Sequence, residues 1–159
     1  MQWKLQHEQM ESALAGHRAL RKGRHSEPGR IYLVTFVTHG RKRWFDDFHL
    51  ACAVSRTFVP STKAEGAELL CWVLMPDHFH GLVQPNGERT LSQCVHRFKS
   101  QSTRACGGLG RIWAGTYHDH AVRKEENLRA LARYIIANPV RAGLVEDARN
   151  YPFWDASWL

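Results

Sequence analysis

Two histidines separated by one residue, His78 and His80, are the sharpest chemical feature of the sequence. Alternate side chains on a β-strand share a face and lie roughly 6–7 Å apart along it, so these imidazoles can share one cation while Phe79 points to the opposite face. The alternative is a pair of surface histidines on a half-exposed strand. The context strengthens the case for a cation, because the pair follows Pro76-Asp77, a turn signal inside an otherwise apolar hairpin, where histidines without a partner would be costly.

A tyrosine and an asparagine, Tyr134 and Asn138, lie four residues apart in a segment with helical apolar spacing. Residues at this spacing stack on one face of a helix, so a phenol hydroxyl and a carboxamide would project together. From these residues alone, the simpler interpretation is a boundary tyrosine that packs its ring, with Asn138 at a helix end before Pro139. The pair acquires a chemical role only from its wider context.

A second histidine pair encloses a carboxylate in His118, Asp119 and His120. If this segment is extended, Asp119 points away from both histidines and does not complete their ligand set. We interpret this group as structural or as a cluster close to a phosphate.

The elements that must position these residues follow from hydrophobic patterning. Residues 31–38 are dense in β-branched and aromatic types and predict a buried strand. Asp46 or Asp47 can cap a following helix that continues up to Pro60. The apolar positions that recur at helical spacing in it are Phe48, Ala51, Val54 and Phe58.

A hairpin and two further helices complete the pattern. Residues 69–75 and 78–84 predict strands joined by a turn so short that they must run antiparallel. Thr90 and Gln93 form a capping box for a helix that ends at the glycines of residues 107–110. A fourth strand is predicted within residues 117–122. A final helix follows, with Glu125 and Glu126 in its first turn, and Pro139 limits its extension. Its buried apolar stripe consists of Leu128, Leu131 and Ile135.

The predicted order is β-α-β-β-α-β-α. The simplest architecture with this order is a ferredoxin-like α+β sandwich, an antiparallel sheet with helices on one face, with Tyr134 on the C-terminal helix. We divide the chain into an N-terminal extension, residues 1–29, helical in part, and one domain over residues 30–159.

The charge and the cysteines limit the kinds of partner and compartment. The 159 residues include 22 Lys and Arg against 15 Asp and Glu, a formal charge of +7, which favours a polyanionic partner. Long uncharged apolar runs are absent, which excludes a membrane-spanning helix, and residues 1–30 lack the apolar stretch of a signal peptide. The cysteines form no C-x-x-C pair, so we predict free thiols in a cytoplasmic protein. They are Cys52, Cys71, Cys94 and Cys106.

Several separate motifs together resemble a known family. They are residues 75–80 (MPDHFH), the segment around Trp113, residues 120–123 (HAVR) and residues 134–145 (YIIANPVRAGLV). In this combination they look like a REP-associated tyrosine transposase, one of the HUH-class, IS200-like transposases of single-stranded DNA. The resemblance covers about residues 30–155 and is highly specific, because the motifs occur in the right order at the right separations.

The resemblance implies roles for four residues. His78 and His80 would bind a divalent cation, Mg²⁺ or Mn²⁺, and Asn138 would complete the protein ligands. Tyr134 would attack a DNA phosphate and leave a 5′-phosphotyrosine with a free 3′-OH. The chain would then be a metal-dependent single-strand DNA endonuclease and strand transferase that acts at or near hairpin repeats. The alternatives are a non-catalytic nucleic-acid-binding module of the same fold, and a metallohydrolase that uses the two histidines and a bound water.

The expected partner is single-stranded or hairpin DNA and not a membrane, and the sequence leaves monomer and homodimer open. Basic side chains can track phosphates, and Trp44 or Trp113 can stack a base. For any single member, a solvated charge or a core aromatic is the simpler explanation, and only the collective surplus favours DNA. The candidate DNA-binding residues are Arg41, Lys42, Arg43, Arg97, Lys99, Arg104, Arg111, His120 and Arg123.

Overall fold

The computed structural model describes residues 26–123 and 127–158. Most of the predicted N-terminal extension, together with Glu125 and Glu126, lies outside the described residues. The strands and α-helices in chain order are β1 (Tyr32–Val37), α1 (Phe48–Ala64), β2 (Ala67–Met75), β3 (His78–Pro85), α2 (Leu91–Ala105), β4 (His118–Ala121), α3 (Leu128–Ile136), α4 (Asn138–Arg141) and β5 (Trp154–Ala156).

One antiparallel sheet organises these elements. Its strand order is β4-β1-β3-β2-β5, and every strand pair in it is antiparallel. The first four strands have the order of a ferredoxin-like fold, so the predicted fold class, the β2–β3 hairpin and the fourth strand are confirmed. The sequence pattern missed β5, because a three-residue strand is too short to show alternation.

The two faces of the sheet carry different side chains. The pairing of β1 with β3 places Phe36 beside Phe79 on one face, and Thr35 beside His80 on the other. Helices α1 and α2 cover the phenylalanine face. Helix α3 covers the histidine face, where the Cys71 thiol donates to the Ala132 carbonyl at 3.8 Å. Our expectation that all helices lie on one face was therefore wrong for the C-terminal helix. This helix, which carries Tyr134, lies on the same face of the sheet as the histidine pair.

Aromatic rings form the centre of the core. Phe79 stacks on Phe36 with ring centroids 4.7 Å apart, and Phe58 of α1 and Phe98 of α2 lie 4.9 Å and 5.5 Å from it. All four rings are almost completely buried. Phe79 therefore anchors the strand from the face opposite the histidines, as the alternation predicts.

Gly81 makes room for one of these rings. A Cβ atom on Gly81 would lie 2.6 Å from Cζ of Phe79, which is closer than carbon atoms approach without displacement. The glycine therefore allows the Phe79 ring to lie along the strand and reach Phe36.

Helix α1 differs from its prediction at both ends of its apolar stripe. It continues through Pro60 to Ala64. Pro60 has no amide proton to donate to the backbone carbonyl four residues earlier, but Pro60 is exposed, so water can bond to that carbonyl instead. The buried Phe58 and Thr62, on either side of the proline, hold both halves against the core. Phe48 is 57% exposed and is not a core residue. It lies in the first turn, where its ring contacts Phe153 with centroids 5.5 Å apart.

The remaining local predictions are confirmed in most details. Thr90 and Gln93 form the predicted capping box of α2. Asn127 caps α3, whose Ile135 is buried, while Leu128 and Leu131 are partly buried against the core. All four cysteines are free. Within the described residues, no helix combines the length and the apolar character needed to cross a membrane.

Candidate functional site

The histidine pair lies near the start of β3 with both rings on the same face. The centroids of the His78 and His80 rings are 4.7 Å apart, and the ring planes are nearly perpendicular. Both side chains are partly buried. The geometry agrees with the strand alternation and places two ring nitrogens where one cation can be shared.

Each histidine has a partner at Nδ1. Nδ1 of His80 lies 2.7 Å from Oγ1 of Thr35, its neighbour on β1. Nδ1 of His78 lies 2.6 Å from Oδ1 of Asp77 and donates to that carboxylate. A hydrogen bond at one ring nitrogen holds the ring orientation and leaves the other nitrogen as the potential ligand. In both rings that remaining nitrogen is Nε2.

Burial keeps both imidazoles neutral. Desolvation, together with the nearby charges of His78, Arg141 and Arg41, holds the pKa of His80 well below its usual value. Desolvation also lowers the pKa of His78, although the hydrogen bond and the charge of Asp77 oppose this shift. Neutral rings offer the lone pair that a metal ion requires at neutral pH.

The turn before the histidines is held by the loop between β1 and α1. The Thr38 amide donates to the Asp77 carbonyl at 2.8 Å, and the Phe45 amide donates to the Pro76 carbonyl at 3.0 Å. The Thr38 hydroxyl donates to the Lys42 carbonyl at 2.7 Å and lies 3.1 Å from the Asp77 carbonyl oxygen. Nε of Arg41 lies 3.1 Å from Oδ2 of Asp77. The carboxylate that orients His78 is thus itself fixed from both its backbone and its side chain.

Tyr134 lies on α3 with its side chain partly buried. The Arg141 guanidinium lies over its ring, 3.9 Å from the ring centroid, and Nη1 of Arg141 donates to the Tyr134 carbonyl at 2.8 Å. Arg141 also contributes to the low pKa of His80. The arginine therefore connects the tyrosine to the electrostatic environment of the histidine pair.

Asn138 is held at both ends of its carboxamide. Its Nδ2 donates to the Ile135 carbonyl at 2.8 Å, and its Oδ1 accepts from Nη2 of Arg141 at 2.6 Å. Within the described ranges, no group of three or more His, Cys, Asp and Glu side chains could hold a metal ion. A third protein ligand beside the two histidines would therefore be a residue of another type, and the Asn138 amide oxygen has suitable chemistry.

Sequence reasoning missed three residues that hold this site: Thr35, Asp77 and Arg141. The spacing of Arg141 could have indicated its contact with Tyr134, because it lies seven residues later and so returns to the same side of the helical segment. No local sequence pattern indicates the contact of Thr35 with His80, because that contact depends on strand register.

The second histidine group lies on the edge strand β4. His118 pairs with Thr35 and His120 with Leu33, so both share the face of the sheet that carries His80. Asp119 pairs with Val34 and points to the opposite face. The expectation that Asp119 points away from both histidines is confirmed.

The candidate DNA-binding residues fall into two groups. Several have exposed side chains at the surface, although some of them also form ion pairs. These are Arg41, Lys42, Arg43, Arg97, Arg104, Arg111 and Arg123. Lys99 differs, because its ammonium group donates to the Ala114 and Thr116 carbonyls at 2.9 Å and 2.8 Å and so fixes the segment before β4. His120 is partly buried on β4.

The two tryptophans proposed to stack bases also differ. Trp113 is buried in the core, and its Nε1 donates to the Ser102 hydroxyl at 2.7 Å. Trp113 is therefore a core aromatic, as the simpler of the two interpretations expects, and it is too buried to stack a base. Trp44 is partly exposed, and Nζ of Lys42 lies 3.5 Å from its ring centroid, which places a cation and an aromatic face together.

Comparison with known families and proteins decides the relationship. The family model described as "Transposase IS200 like" matches residues 29–138, more than half of the chain. The chain belongs to this family. The IS200-like resemblance inferred from the motifs is thereby confirmed, and the match includes the histidine pair, Tyr134 and Asn138.

This IS200-like chain is also similar to individual proteins. It is 36% identical over 87 residues to the REP-associated tyrosine transposase of Escherichia coli (strain K12), an alignment that covers 54% of the chain and 52% of that protein. The chain thus spans about half the length of this relative. It is 27% identical over 144 residues to a protein of Haemophilus influenzae named as a candidate REP-associated tyrosine transposase, covering 79% and 78% of the two chains.

A solved structure has the same architecture. The structure of a REP-associated tyrosine transposase bound to a REP hairpin superposes with a TM-score of 0.71 at 26% identity, and the match covers 82% of this chain and 79% of that one. A TM-score of this size over most of both chains supports a shared fold.

Proposed function

We propose that this IS200-like protein is a metal-dependent single-strand DNA endonuclease and strand transferase that acts at or near DNA hairpins. Its catalytic residue is Tyr134, and its cation ligands are His78, His80 and Asn138. One observation supports the proposal: each histidine has a partner at Nδ1, so both Nε2 atoms remain available as ligands, and the two rings lie with centroids 4.7 Å apart on the face of the sheet that α3 covers.

The residues present suit Mg²⁺ or Mn²⁺. The donor set is two neutral imidazoles and one amide oxygen, with no thiolate among them, and this mixture of nitrogen and oxygen donors accepts either ion. When bound, such an ion polarises the scissile phosphate and stabilises the charge that develops on the departing oxygen. His78 and His80 would hold it through Nε2, and Asn138 through Oδ1.

Tyr134 supplies the nucleophile. Its hydroxyl oxygen forms a bond to phosphorus while the bond from phosphorus to the 3′ oxygen breaks. The hydroxyl loses its proton and the departing 3′ oxygen gains one, so the products are a 5′-phosphotyrosine and a free 3′-OH. The phosphotyrosine bond keeps the energy of the original phosphodiester, so a second 3′-OH can reverse the step without ATP.

Basic residues around the histidine face hold the DNA backbone. Arg41 and Lys42 lie in the loop that supports the histidine turn, and Trp44 beside them offers an aromatic face for a base. The REP hairpin in the solved relative is the model for the substrate, and hairpin DNA is the proposed partner of this chain. The chain's formal charge of +7 supports such a partner.

The experiment uses single-stranded oligonucleotides that carry a REP hairpin, labelled at the 5′ or the 3′ end. They are incubated with the protein and Mg²⁺ or Mn²⁺, with a chelator in a parallel reaction. We expect cleavage with a covalent adduct to the 3′ fragment, and loss of both in Tyr134→Phe and with the chelator. The matched control is Tyr117→Phe, which removes a hydroxyl from a partly buried tyrosine outside the proposed ligand and nucleophile set.

Other outcomes would support a different function. Hairpin binding without cleavage in any metal would indicate a non-catalytic nucleic-acid-binding module. Cleavage that survives Tyr134→Phe would indicate a metallohydrolase. Full activity of His78→Ala would refute the assignment of the cation ligands.

A further inference from the structure

Arg141 contacts both ends of the catalytic helical segment. Its side chain is exposed on α4, yet it bonds the Tyr134 carbonyl at 2.8 Å and the Asn138 amide oxygen at 2.6 Å, and it covers the Tyr134 ring at 3.9 Å. A planar guanidinium with five donors can make these contacts simultaneously, whereas an ammonium group cannot. Arg141 thus makes three contacts to the two residues that the proposed function uses on this segment.

The local sequence explains why these contacts form. Pro139 has no amide proton, so the Ile135 carbonyl lacks its usual donor four residues later. Nδ2 of Asn138 takes that place at 2.8 Å. With Nδ2 on Ile135, the amide oxygen must point the other way, where Arg141 binds it. The orientation of the Asn138 amide is thus fixed from both ends.

We propose that Arg141 is a positioning residue that holds the Asn138 amide oxygen and the Tyr134 ring in register with the histidine pair. This inference rests on the proposed function, since it assigns Asn138 a cation to bind. An amide oxygen has two lone pairs. One accepts from Arg141, and the other is left for the cation.

The position and the charge of Arg141 have opposite effects on cation binding. Its positively charged Nη2 lies 2.6 Å from the Asn138 oxygen that would bind the ion, so its charge would repel a metal ion there. A purely electrostatic role therefore predicts tighter metal binding when the charge is removed. A positioning role predicts weaker binding, by about tenfold, because hydrogen-bond partners that orient metal ligands typically contribute 10–100-fold to affinity.

The test compares Mn²⁺ binding by wild type, Arg141→Gln and Arg141→Lys, measured by electron paramagnetic resonance without DNA. The matched control is Arg133→Gln, which makes the same charge change at an exposed site on α3. Thermal unfolding checks that each variant is folded, and hairpin affinity and single-turnover cleavage are measured separately. We expect a Mn²⁺ Kd raised about tenfold in both Arg141 variants, with slower cleavage and nearly unchanged hairpin affinity. Arg133→Gln should bind Mn²⁺ as wild type does.

Four results would overturn the inference. Tighter Mn²⁺ binding by Arg141→Gln would mean that Arg141 acts only through its charge. A loss confined to hairpin affinity would make Arg141 a phosphate contact instead. If wild type binds no Mn²⁺, or His78→Ala binds it equally well, the proposed cation site fails and this inference fails with it. Normal binding that depends on His78 but not on Arg141 refutes the positioning role alone.

Discussion

Replacing Thr35 by valine tests whether a neighbouring strand orients the histidine pair. Thr35 is 8% exposed, and its hydroxyl oxygen lies 2.7 Å from Nδ1 of His80. Valine has nearly the same shape and suits a strand, so the substitution removes the hydroxyl while it keeps the packing. Its effects then report the hydrogen bond.

The magnitude follows from what the substitution leaves behind. Nδ1 of His80 loses its partner in a partly buried position, which costs about 1–3 kcal/mol of unfolding free energy. For a chain of this size, a loss of about 2 kcal/mol lowers Tm by roughly 4–8 °C. The His80 ring is also free to turn Nε2 away from the proposed cation site, so we expect Mn²⁺ affinity to fall about 10–100-fold.

The assay measures thermal unfolding and Mn²⁺ binding on the same preparations, with Thr35→Ser as the matched control. Serine keeps the hydroxyl and removes one methyl group, so it should lose about 1 kcal/mol of stability from packing while it binds Mn²⁺ almost as wild type does. The two variants therefore separate stability from metal affinity. If Thr35→Val binds Mn²⁺ as tightly as wild type, the hydroxyl does not orient His80 and the reasoning is wrong.

Three further predictions concern stability. Gly81→Ala should lower the unfolding free energy measured in urea by about 1–3 kcal/mol, because its Cβ would meet the Phe79 ring at 2.6 Å. The control, Gly115→Ala, places a Cβ only against the end of a flexible arginine and should be nearly neutral. Equal losses of stability in the two variants would refute the steric argument. Burial raises the pKa of Tyr151 to about 12, so the stability that its neutral hydroxyl supplies below about pH 10 is lost as the pH rises to about 12. Tyr151→Phe should therefore lose less stability than wild type over that range, and parallel losses would contradict the assignment. Thr90→Ala removes the α2 capping box and should lower the unfolding free energy by about 1 kcal/mol, which an unchanged urea midpoint would disprove.

The local features of the fold were readable from the sequence because they depend on neighbouring residues. The H-x-H spacing, the Thr90 cap and the hairpin over residues 69–84 each follow from strand alternation, a capping box or a short turn. The prediction that α1 ends at Pro60 was wrong, because the rule that proline ends a helix considers only the local sequence and not packing. The buried positions on either side of it, which only the folded chain supplies, keep the helix continuous.

By itself, the sequence determined the four-strand order of elements, the face of the strand that carries the histidines, and the spacing of Tyr134 and Asn138. Only the tertiary structure decided what holds these residues. Thr35 reaches His80 through strand register, and Arg141 returns across a proline break to Tyr134. Helix α3 lies on the histidine face through its contact with Cys71. The physical reason is that register and helix docking depend on which apolar surfaces meet in the folded chain, and one-dimensional spacing carries no such information.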